Sequence, residues 1–525
     1  MWQPNYTPLA GSLPLSALVA ALPILALLLL LGVMRKPAWI ASLIGLATAM
    51  LMAALVYGMP AGRLLGAVTN GAAFGLFPIG WVVFSAILLY RVTVESGKFE
   101  ILKDSVGNLT ADPRLQALLI AFAFGAFIEG AAGFGTPVAV AGAMLAGLGV
   151  APFRAAAICL LANTAPVAFG SIAIPITTLA ATTGLPFDRL SAGVGRICAP
   201  VSLIVPAYLI VVMFGWSGLR AVFPAAAVCG VVFAATQFTV SNFLNAQLTD
   251  ILSSLAAMAA LVVLIKMQAR SGRPAPNETP QAKPPAPHHR GVFSAWAPYL
   301  LLVIFVLLWG YAPIQRWLDH FSLLIHWPGL PAKAAPYKLG WASASGTACL
   351  LAAVLGAVVV GLSPRQFLRV VGHTLKQLAL AELTLAVVLA LAYLMNHSGA
   401  TTTLGLAFAA TGAAFPFASA LLGWLGVFLT GSDTSANALF GNLQVVTAHK
   451  LGMNPVLMAA SNSAGGVMGK MISLTSIAVA ACATNMKRED ESLLFRFTLK
   501  HSVVLASTIG LIVTFYAYVM PAWAP

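Results

Sequence analysis

Charged side chains are scarce in this 525-residue chain, of which only 8% is Asp, Glu, Lys or Arg and 60% is hydrophobic. About a quarter of the residues of a typical soluble domain are charged, so this composition excludes an ordinary soluble protein. Runs of about 20 apolar residues, the length that spans a bilayer, recur along the chain. We therefore predict an all-α polytopic membrane protein of about 12–14 spans, surrounded by lipid.

Cysteine is also rare. The five cysteines lie in apolar runs without CxxC spacing, so neither a disulfide framework nor a metal site is indicated. The histidines are scattered, and the chain has no phosphate-binding glycine motif. Motifs of intramembrane aspartyl or serine hydrolases are missing too. We predict that the protein is not an enzyme and uses no metal or cofactor.

The net charge of +14 would suggest a nucleic-acid ligand in a soluble protein. Here the basic residues stand at the ends of apolar spans, where they encode orientation, so we predict no nucleic-acid partner. Basic clusters that mark inside loops lie at 35–36, 91–114, 266–290, 365–376 and 487–500. Both termini are then predicted to lie outside.

Two apolar windows, 115–183 and 417–483, are too long for one helix and are broken by Gly, Asn and Pro. Clear spans are predicted at 13–33, 37–57, 74–92, 197–214, 222–240, 251–266, 296–313, 341–361, 378–396 and 501–522. Residues 268–291 form a Pro-rich linker, predicted to be cytoplasmic. Residues 314–338 are predicted to form a loop at the membrane surface.

The two halves of the chain resemble each other. Five short matches, among them Pro60 with Pro364 and Asn163 with Asn462, occur in the same order at offsets of 299 to 304 residues. Corresponding loops differ in charge: 91–114 has four Lys or Arg and 393–416 has none. The two loops therefore favour opposite faces of the membrane, which predicts inverted-topology repeats. The predicted units are a first repeat (1–221), a two-span connector (222–267), the linker (268–291) and a second repeat (292–525).

Each broken window contains a predicted half-helix start. In the first, Thr136 is the predicted N-cap and Pro137 the first helical residue, and in the second the start lies at Gly431 to Ser435. Inverted-repeat transporters direct such starts at anionic substrates near the middle of the membrane. Thr136, Ser432 and Thr434 are therefore candidate substrate-binding residues. The alternative is that the glycines of these windows serve close helix packing.

Glu129 and Asp433 are the only acidic residues inside the two windows. An ionised carboxylate there costs at least about 2.5–3.5 kcal/mol. A carboxylate that can change its protonation state is what proton coupling requires, so both residues are candidates. Alternatively, Asp433 is a helix N-cap and Glu129 is a protonated packing residue.

Lys470 is the one cation deep in the second window. It is predicted to pair with a substrate carboxylate, with Glu129 or Asp433, or else to reach an interface. Asn163 and Asn462 occupy matching repeat positions and are predicted to donate to substrate oxygens. Helix–helix hydrogen bonding is their alternative role.

The sequence resembles a known family, the bacterial L-lactate permeases. The resemblance covers nearly the whole chain, and the segments that carry it are 2–6, 127–135, 163–170, 423–435, 469–473 and 494–498. The chain departs from the family pattern at Glu382 and His397. The resemblance implies a proton symporter of the bacterial inner membrane for lactate and related 2-hydroxy acids.

We therefore predict a secondary active transporter that imports L-lactate, D-lactate and glycolate with protons. Glu129 and Asp433 are the predicted proton-coupling residues. The predicted substrate-binding residues are Thr136, Asn163, Ser432, Thr434, Asn462 and Lys470. The alternative is an uncoupled or cation-coupled carrier or channel for other small organic anions, such as dicarboxylates. The sequence allows a homo-oligomer and does not require one.

Overall fold

The computed structural model describes residues 2–107, 109–133, 135–270, 291–331 and 336–524. Among these residues, ten helices are long and apolar enough to cross a membrane, and two bent helix pairs raise the total to twelve if each pair counts as one span. The predicted polytopic helical class is confirmed, and the count meets the lower end of the predicted range even with the 57-residue helix Phe187–Phe243 counted once.

The first part of the chain contains helices α1 to α12, joined by short turns. In order they are Leu13–Leu28, Ala38–Leu55, Ala61–Phe74, Trp81–Glu95, Lys98–Gly107, Pro113–Gln116, Gly125–Ala131, Thr136–Gly147, Pro152–Ala162, Gly170–Thr183, Phe187–Phe243 and Thr249–Arg270. Three π-helical segments extend or connect them, at Leu29–Val33, Gly75–Gly80 and Ala117–Phe124.

The second part contains helices α13 to α22. In order they are Val292–Gly310, Ala312–Asp319, Ser345–Val359, Pro364–Ser398, Ala400–Phe408, Phe415–Thr430, Asp433–Leu451, Pro455–Lys470, Leu474–Ala483 and Glu491–Tyr518. Short 3₁₀ turns occur in both parts of the chain, at Val167–Phe169, Ala246–Leu248, Ala409–Ala414, Arg488–Asp490 and Pro521–Trp523. Two antiparallel strands, β1 (Leu323–Ile325) and β2 (Tyr337–Leu339), form the described sheet.

Helix α11 is too long for a single crossing. Its 57 residues extend about 86 Å at 1.5 Å per residue, against a hydrocarbon core of about 30 Å. The backbone leaves the helical region at Gly215, whose φ of 73° is left-handed, and again at Val222. The break separates the two spans predicted at 197–214 and 222–240.

Local sequence explains where the long helix α16 begins and ends. Ser363 caps its N-terminus, since the Ser363 hydroxyl accepts from the Gln366 amide and the Gln366 side chain accepts from the Ser363 amide. Pro364 occupies the first turn, where its missing N–H leaves no bond unmade. Gly399 ends the helix with a φ of 91°, which a residue with a Cβ rarely adopts.

The helix bounds recur between the two halves at a nearly constant offset. The run Ala61–Glu95 and helix α16 are each 35 residues long, and both ends are shifted by 303 residues. Helix α22 has 28 residues, the same length as α11 from Phe187 to its break at Gly215. These matches support an internal repeat. The opposite orientation of the halves stays a prediction of the charge pattern.

The repeated helices also exchange partners. Helix α1 packs against α17, and at corresponding positions α13 packs against α5. Helix α2 packs against α16, while its counterpart α15 packs against α4. Each contact between the halves therefore has an equivalent contact in which the two halves exchange roles. Two units related by pseudo-two-fold symmetry are expected to pack in this way.

Two predicted segments need comment. The linker prediction falls mainly on 271–290, outside the described residues, and α12 continues to Arg270. The predicted surface loop 314–338 contains α14 and the β1–β2 hairpin. It folds onto α3, where Trp327 Nε1 donates to Thr69 Oγ1 at 2.9 Å. The pattern missed the hairpin because its two strands have only three residues each.

Helices α18 and α20 are in backbone-to-backbone contact. A Cβ added at Gly423 would overlap the carbonyl of Asn462, and one at Gly465 would overlap the carbonyl of Ala420. These glycines therefore serve close helix packing, the alternative considered from the sequence. The contact fixes two helices of the second broken window against each other.

Candidate substrate-binding cavity

The two broken windows meet at a cavity of about 370 Å³. This volume falls in the range of ligand-binding pockets, roughly 300–1,000 Å³. The first window contributes Glu129, Gly170 and Ser171 to its wall, and the second contributes the turn 430–435 and Lys470. The rest of the wall is mostly apolar and comes from further residues of both windows and from α1, α2, α4 and α16.

In the first window the chain bends sharply beside this cavity. Helix α9 ends at Ala162, and the pair formed by α9 and the segment Val167–Thr183 is bent by 64°. Ser171, Ile172 and Ala173 follow with φ between 46° and 59°, three successive left-handed residues. Such a conformation costs of order 1–3 kcal/mol per residue. It turns Ser171 toward the broken segment after α7, where its hydroxyl donates to the Ala132 carbonyl at 2.9 Å.

Glu129 lies on α7 at the cavity wall and is only 4% exposed. Its Oε2 accepts a hydrogen bond from Asn163 Nδ2 at 3.0 Å. Its Oε1 lies against Gly170, where an added Cβ would be 2.5 Å away. Among the described residues no cation lies within 4 Å of this carboxyl group. Glu129 is therefore held by a single side-chain hydrogen bond.

The second window has regular turns. Helix α18 ends at Thr430, Gly431 adopts the left-handed conformation (φ 72°), and the Ser432 hydroxyl accepts from the Ser435 amide at 3.2 Å. Ser432 is thus the N-cap of α19. The alternative that Asp433 is the cap was wrong, because Asp433 is already the first helical residue. Helices α20 and α21 form the second bent pair, at 40°.

Asp433 sits in a network of hydrogen bonds and is 3% exposed. Its Oδ2 accepts from Ser463 Oγ at 2.6 Å and from Asn437 Nδ2 at 3.4 Å. Asn437 in turn accepts from Asn462 at 2.9 Å, and Asn462 accepts from Gln444 at 3.1 Å. This network ties α19 to α20 and fixes the position of the Asp433 carboxyl group.

Lys470 is the last residue of α20 and reaches the same cavity. Its Nζ donates to the carbonyl of Gly431 at 2.7 Å, at the end of α18. Within the described part of the chain, the ammonium group forms no ion pair within 4 Å. It shares the cavity wall with Glu129 and Asp433, so a cation and two carboxyl groups surround one space.

Helix N-termini add positive potential to this cavity. Gly135 precedes α8, Ser432 and Asp433 begin α19, and Ser476 lies in the first turn of α21; all four line the wall. The first N–H groups of a helix have no intrahelical acceptor, and the dipole favours an anion there. Together with Lys470, these ends make a site that suits a small carboxylate.

The structure brings together most of the predicted site residues. Five of them line the cavity: Glu129, Ser432, Asp433, Thr434 and Lys470. Thr136, Asn163 and Asn462 do not line it. Asn163 supports Glu129 from behind, and Asn462 makes the helix–helix hydrogen bonds considered as its alternative role.

One prediction about α8 needs correction. Thr136 is the first helical residue and not the N-cap, which is Gly135. The reason is conformational, since Gly135 has a φ of 81°, in the region that favours glycine. The helix then runs from Thr136 to Gly147, as the predicted half-helix start implies.

Sequence reasoning missed Glu382 as a residue of this cavity. Glu382 lies on α16, and the cavity is lined by it together with Leu385 and Val388 at helical spacing. Its Oε1 has no hydrogen-bond partner in the part of the chain that the structure describes. An ionisable residue inside a clear span was the available signal. What the sequence lacked was any indication that α16 faces the two windows.

Taken together, the apolar helices, the two bent pairs and this mixed-charge cavity define a multi-pass membrane protein with an internal site for a small polar solute. Comparison with known proteins narrows this class. The sequence profile of the L-lactate permease family matches residues 16–520, and the chain belongs to that family. Membership implies a transporter rather than an enzyme.

Relatives match over the full length. The chain is 45% identical to the L-lactate permease of Bacillus subtilis, with 99% of each chain covered. It is 40% identical to the L-lactate permease of Escherichia coli K12 (100% of each) and 42% identical to glycolate permease GlcA of the same strain (99% of this chain, 98% of the relative). The structure of Neisseria gonorrhoeae MtrF, from a class of antimetabolite efflux pumps, has a similar fold at 14% identity, with a TM-score of 0.50 over 94% of this chain and 97% of MtrF.

Proposed function

We propose that the protein imports L-lactate, D-lactate and glycolate together with protons across the bacterial inner membrane, as a secondary active transporter with both termini in the periplasm. One observation carries the proposal: Glu129, Asp433 and Lys470, from the two broken windows, line one cavity. Relatives named L-lactate permease and glycolate permease support the substrate class.

The substrate carboxylate binds at the N-terminus of α19. There it meets backbone N–H groups, the hydroxyls of Ser432 and Thr434, and the ammonium of Lys470, which already faces the cavity from Gly431. Charge-assisted hydrogen bonds of this kind contribute about 1.5–3 kcal/mol each. The substrate hydroxyl bonds to the same Ser/Thr turn, while Thr136, Asn163 and Asn462 support the site from behind its wall.

Glu129 carries the proton. It is lightly held, by one hydrogen bond from Asn163, and its other oxygen lies at the cavity wall. Asp433 is bonded by both Ser463 and Asn437, so its role is to position α19 and to balance Lys470. A protonated Glu129 removes one negative charge from the space that the substrate anion enters, which couples the two bindings.

A dicarboxylate carrier, the alternative from the sequence, fits this cavity less well. A dianion needs two cationic partners, and Lys470 is the one cationic side chain among the described residues of the wall. Three acidic residues, Glu129, Glu382 and Asp433, line the same space and would repel a second carboxylate. A monocarboxylate that enters with a proton avoids this repulsion.

Transport by the purified full-length protein in proteoliposomes tests the proposal. We expect an inside-alkaline pH gradient to drive lactate accumulation that a protonophore abolishes. Glu129→Gln is expected to retain lactate–lactate exchange, which needs no net proton movement, and to lose accumulation. Accumulation by Glu129→Gln at the wild-type level would contradict the coupling role. Wild-type uptake that ignores the pH gradient would contradict symport itself.

A further inference from the structure

A second buried acid, Asp250, packs against the residue that follows Glu129 on α7. Asp250 is in the first turn of α12, is 1% exposed and does not line the cavity. Neither of its carboxyl oxygens has a hydrogen-bond partner among the described residues. A buried ionised carboxylate without partners is strongly unfavourable, so this group holds a proton at rest or exchanges it with a neighbour.

Asp250 is brought next to Glu129 by a close helix contact. Gly130 follows Glu129 directly on α7, and a Cβ added at Gly130 would lie 2.8 Å from Asp250 Cβ and 3.1 Å from the Ile251 amide. Only a glycine permits α7 and α12 to approach this closely. Asp250 therefore lies beside the residue that directly follows Glu129 on α7.

Among the described residues, no cation lies within 4 Å of the Asp250 carboxyl group. Ser253 uses its hydroxyl within α12, toward the Thr249 carbonyl. Among the described residues, the titratable groups that interact electrostatically with Asp250 are Glu129 on α7 and Cys198 on α11.

The position of Asp250 at a helix start makes its ionised form accessible as well. The partial positive charge of the α12 N-terminus offsets part of the cost of a carboxylate there. Both protonation states are thus within reach, which a proton relay requires. A purely structural acid would be expected to accept hydrogen bonds, as Asp433 does.

We propose that Asp250 is the proton-relay partner of Glu129. The proton moves from the carboxyl O–H of Asp250 to the carboxylate of Glu129, directly or across one bridging water. Asp250 is left ionised and Glu129 neutral, and the reverse transfer restores the first state. Glu129 is thereby loaded without a proton passing through the substrate cavity. This inference rests on the proposed proton coupling.

Two substitutions separate acidity from shape. Asp250→Asn keeps the shape and removes the acid, whereas Asp250→Glu keeps the acid and adds one methylene. We expect Asp250→Asn to exchange lactate within about 2-fold of wild type and to lose uptake driven by a pH gradient about 100-fold or more, since a positioned proton-transfer group contributes roughly 10²–10⁴-fold. Asp250→Glu is expected to restore coupled uptake. Ser253→Ala, one turn along the same helix, is the matched control and should behave as wild type.

The outcomes are distinct. Wild-type coupled uptake by Asp250→Asn, with the wild-type protein responding to the pH gradient, overturns the relay and leaves the proposed symport standing. Wild-type uptake that ignores the gradient overturns symport and the relay together. If Asp250→Asn does not fold, coupled uptake by Asp250→Glu still supports the relay. If neither variant exchanges lactate, Asp250 serves folding and the relay is wrong.

Discussion

The two broken windows hold their carboxyl groups in different ways. Around Asp433 the turns are regular, Ser432 caps its helix, and Ser463 and Asn437 bond the carboxyl group. Around Glu129 the backbone is strained, with three left-handed residues from Ser171 to Ala173. One hydrogen bond, from Asn163, holds the Glu129 side chain.

The difference favours different roles for the two acidic residues of the windows. A carboxyl group that is fixed by several donors favours its ionised form and keeps one position. A carboxyl group with one donor and a free side toward the cavity can gain and lose a proton with less rearrangement. The comparison therefore favours Glu129 as the proton carrier and Asp433 as the positioning residue. Substitutions at four positions, Gly465, Lys470, Asp433 and Glu382, test this assignment.

The largest effect, on the melting temperature, is expected from a methyl group added in the second window, where α18 and α20 are in backbone contact. Gly465→Ala would force α20 away from the Ala420 carbonyl, and overpacking of this kind costs about 1–3 kcal/mol or more. The melting temperature of the purified protein should fall markedly. Gly170→Ala, in the other window, should fold, because the atom it meets is the movable Glu129 Oε1. Gly372→Ala, with no atom within 4 Å of its added Cβ, is the neutral control.

An equal melting temperature for Gly465→Ala and wild type would contradict the rigid packing of the second window. A Gly170→Ala variant that folds should still transport abnormally, since Glu129 must shift. Relative to wild type, the uptake driven by a pH gradient should then change strongly in this variant, and its melting temperature should change little.

Lys470→Met is expected to weaken lactate binding. The loss of one charge-assisted hydrogen bond, about 1.5–3 kcal/mol, corresponds to a rise of roughly 10- to 100-fold in the KM for lactate exchange. The concentration dependence of exchange in proteoliposomes measures it. Lys470→Arg keeps the charge and should retain part of the affinity. An unchanged KM for Lys470→Met would remove Lys470 from the substrate site.

Asp433→Asn should have a smaller effect and should leave coupling intact. The amide oxygen can still accept from Ser463, so the loss is expected to be about 3- to 10-fold in lactate affinity, equal to about 1 kcal/mol. Accumulation driven by a pH gradient, relative to exchange, should match wild type. If Asp433→Asn lost accumulation and Glu129→Gln kept it, the assignment of the two residues would be reversed.

The smallest effect is expected outside both windows, at Glu382. This residue faces the cavity from α16 without a partner for its Oε1 among the described residues. Glu382→Gln removes a weakly repulsive charge and should increase lactate affinity by no more than about 5-fold, the scale of an unpaired charge interaction of up to 1 kcal/mol. A loss of accumulation in this variant would make Glu382 a proton carrier in addition to Glu129.

Several features of the fold could be predicted from the sequence because they depend on local patterns. Apolar runs predicted the spans, and lone charges in apolar windows predicted Glu129, Asp433 and Lys470, which the structure places in one cavity. Ser432 followed from the cap-rich turn before α19. Each of these signals is contained within a few consecutive residues.

Other features depend on which elements meet, and a single sequence does not contain that information. Asp250 and Glu382 lie on helices outside both windows, and only the packing of α12 and α16 brings them to the site. Asn462 could not be placed in advance, because an amide on a broken helix can face a ligand or a neighbouring helix equally well. The left-handed turn at Ser171 has no local signal, since none of its three residues is glycine.

The exchanged packing of the two halves has an evolutionary consequence. Helix α1 meets α17 where α13 meets α5, and α2 meets α16 where α15 meets α4. A chain of half this length would find all of these partner surfaces on a second copy of itself. The arrangement is what gene duplication and fusion of a self-associating ancestor would produce. In the sequence match between the halves, Glu129 stands opposite Thr430, and Asp433 has no acidic counterpart.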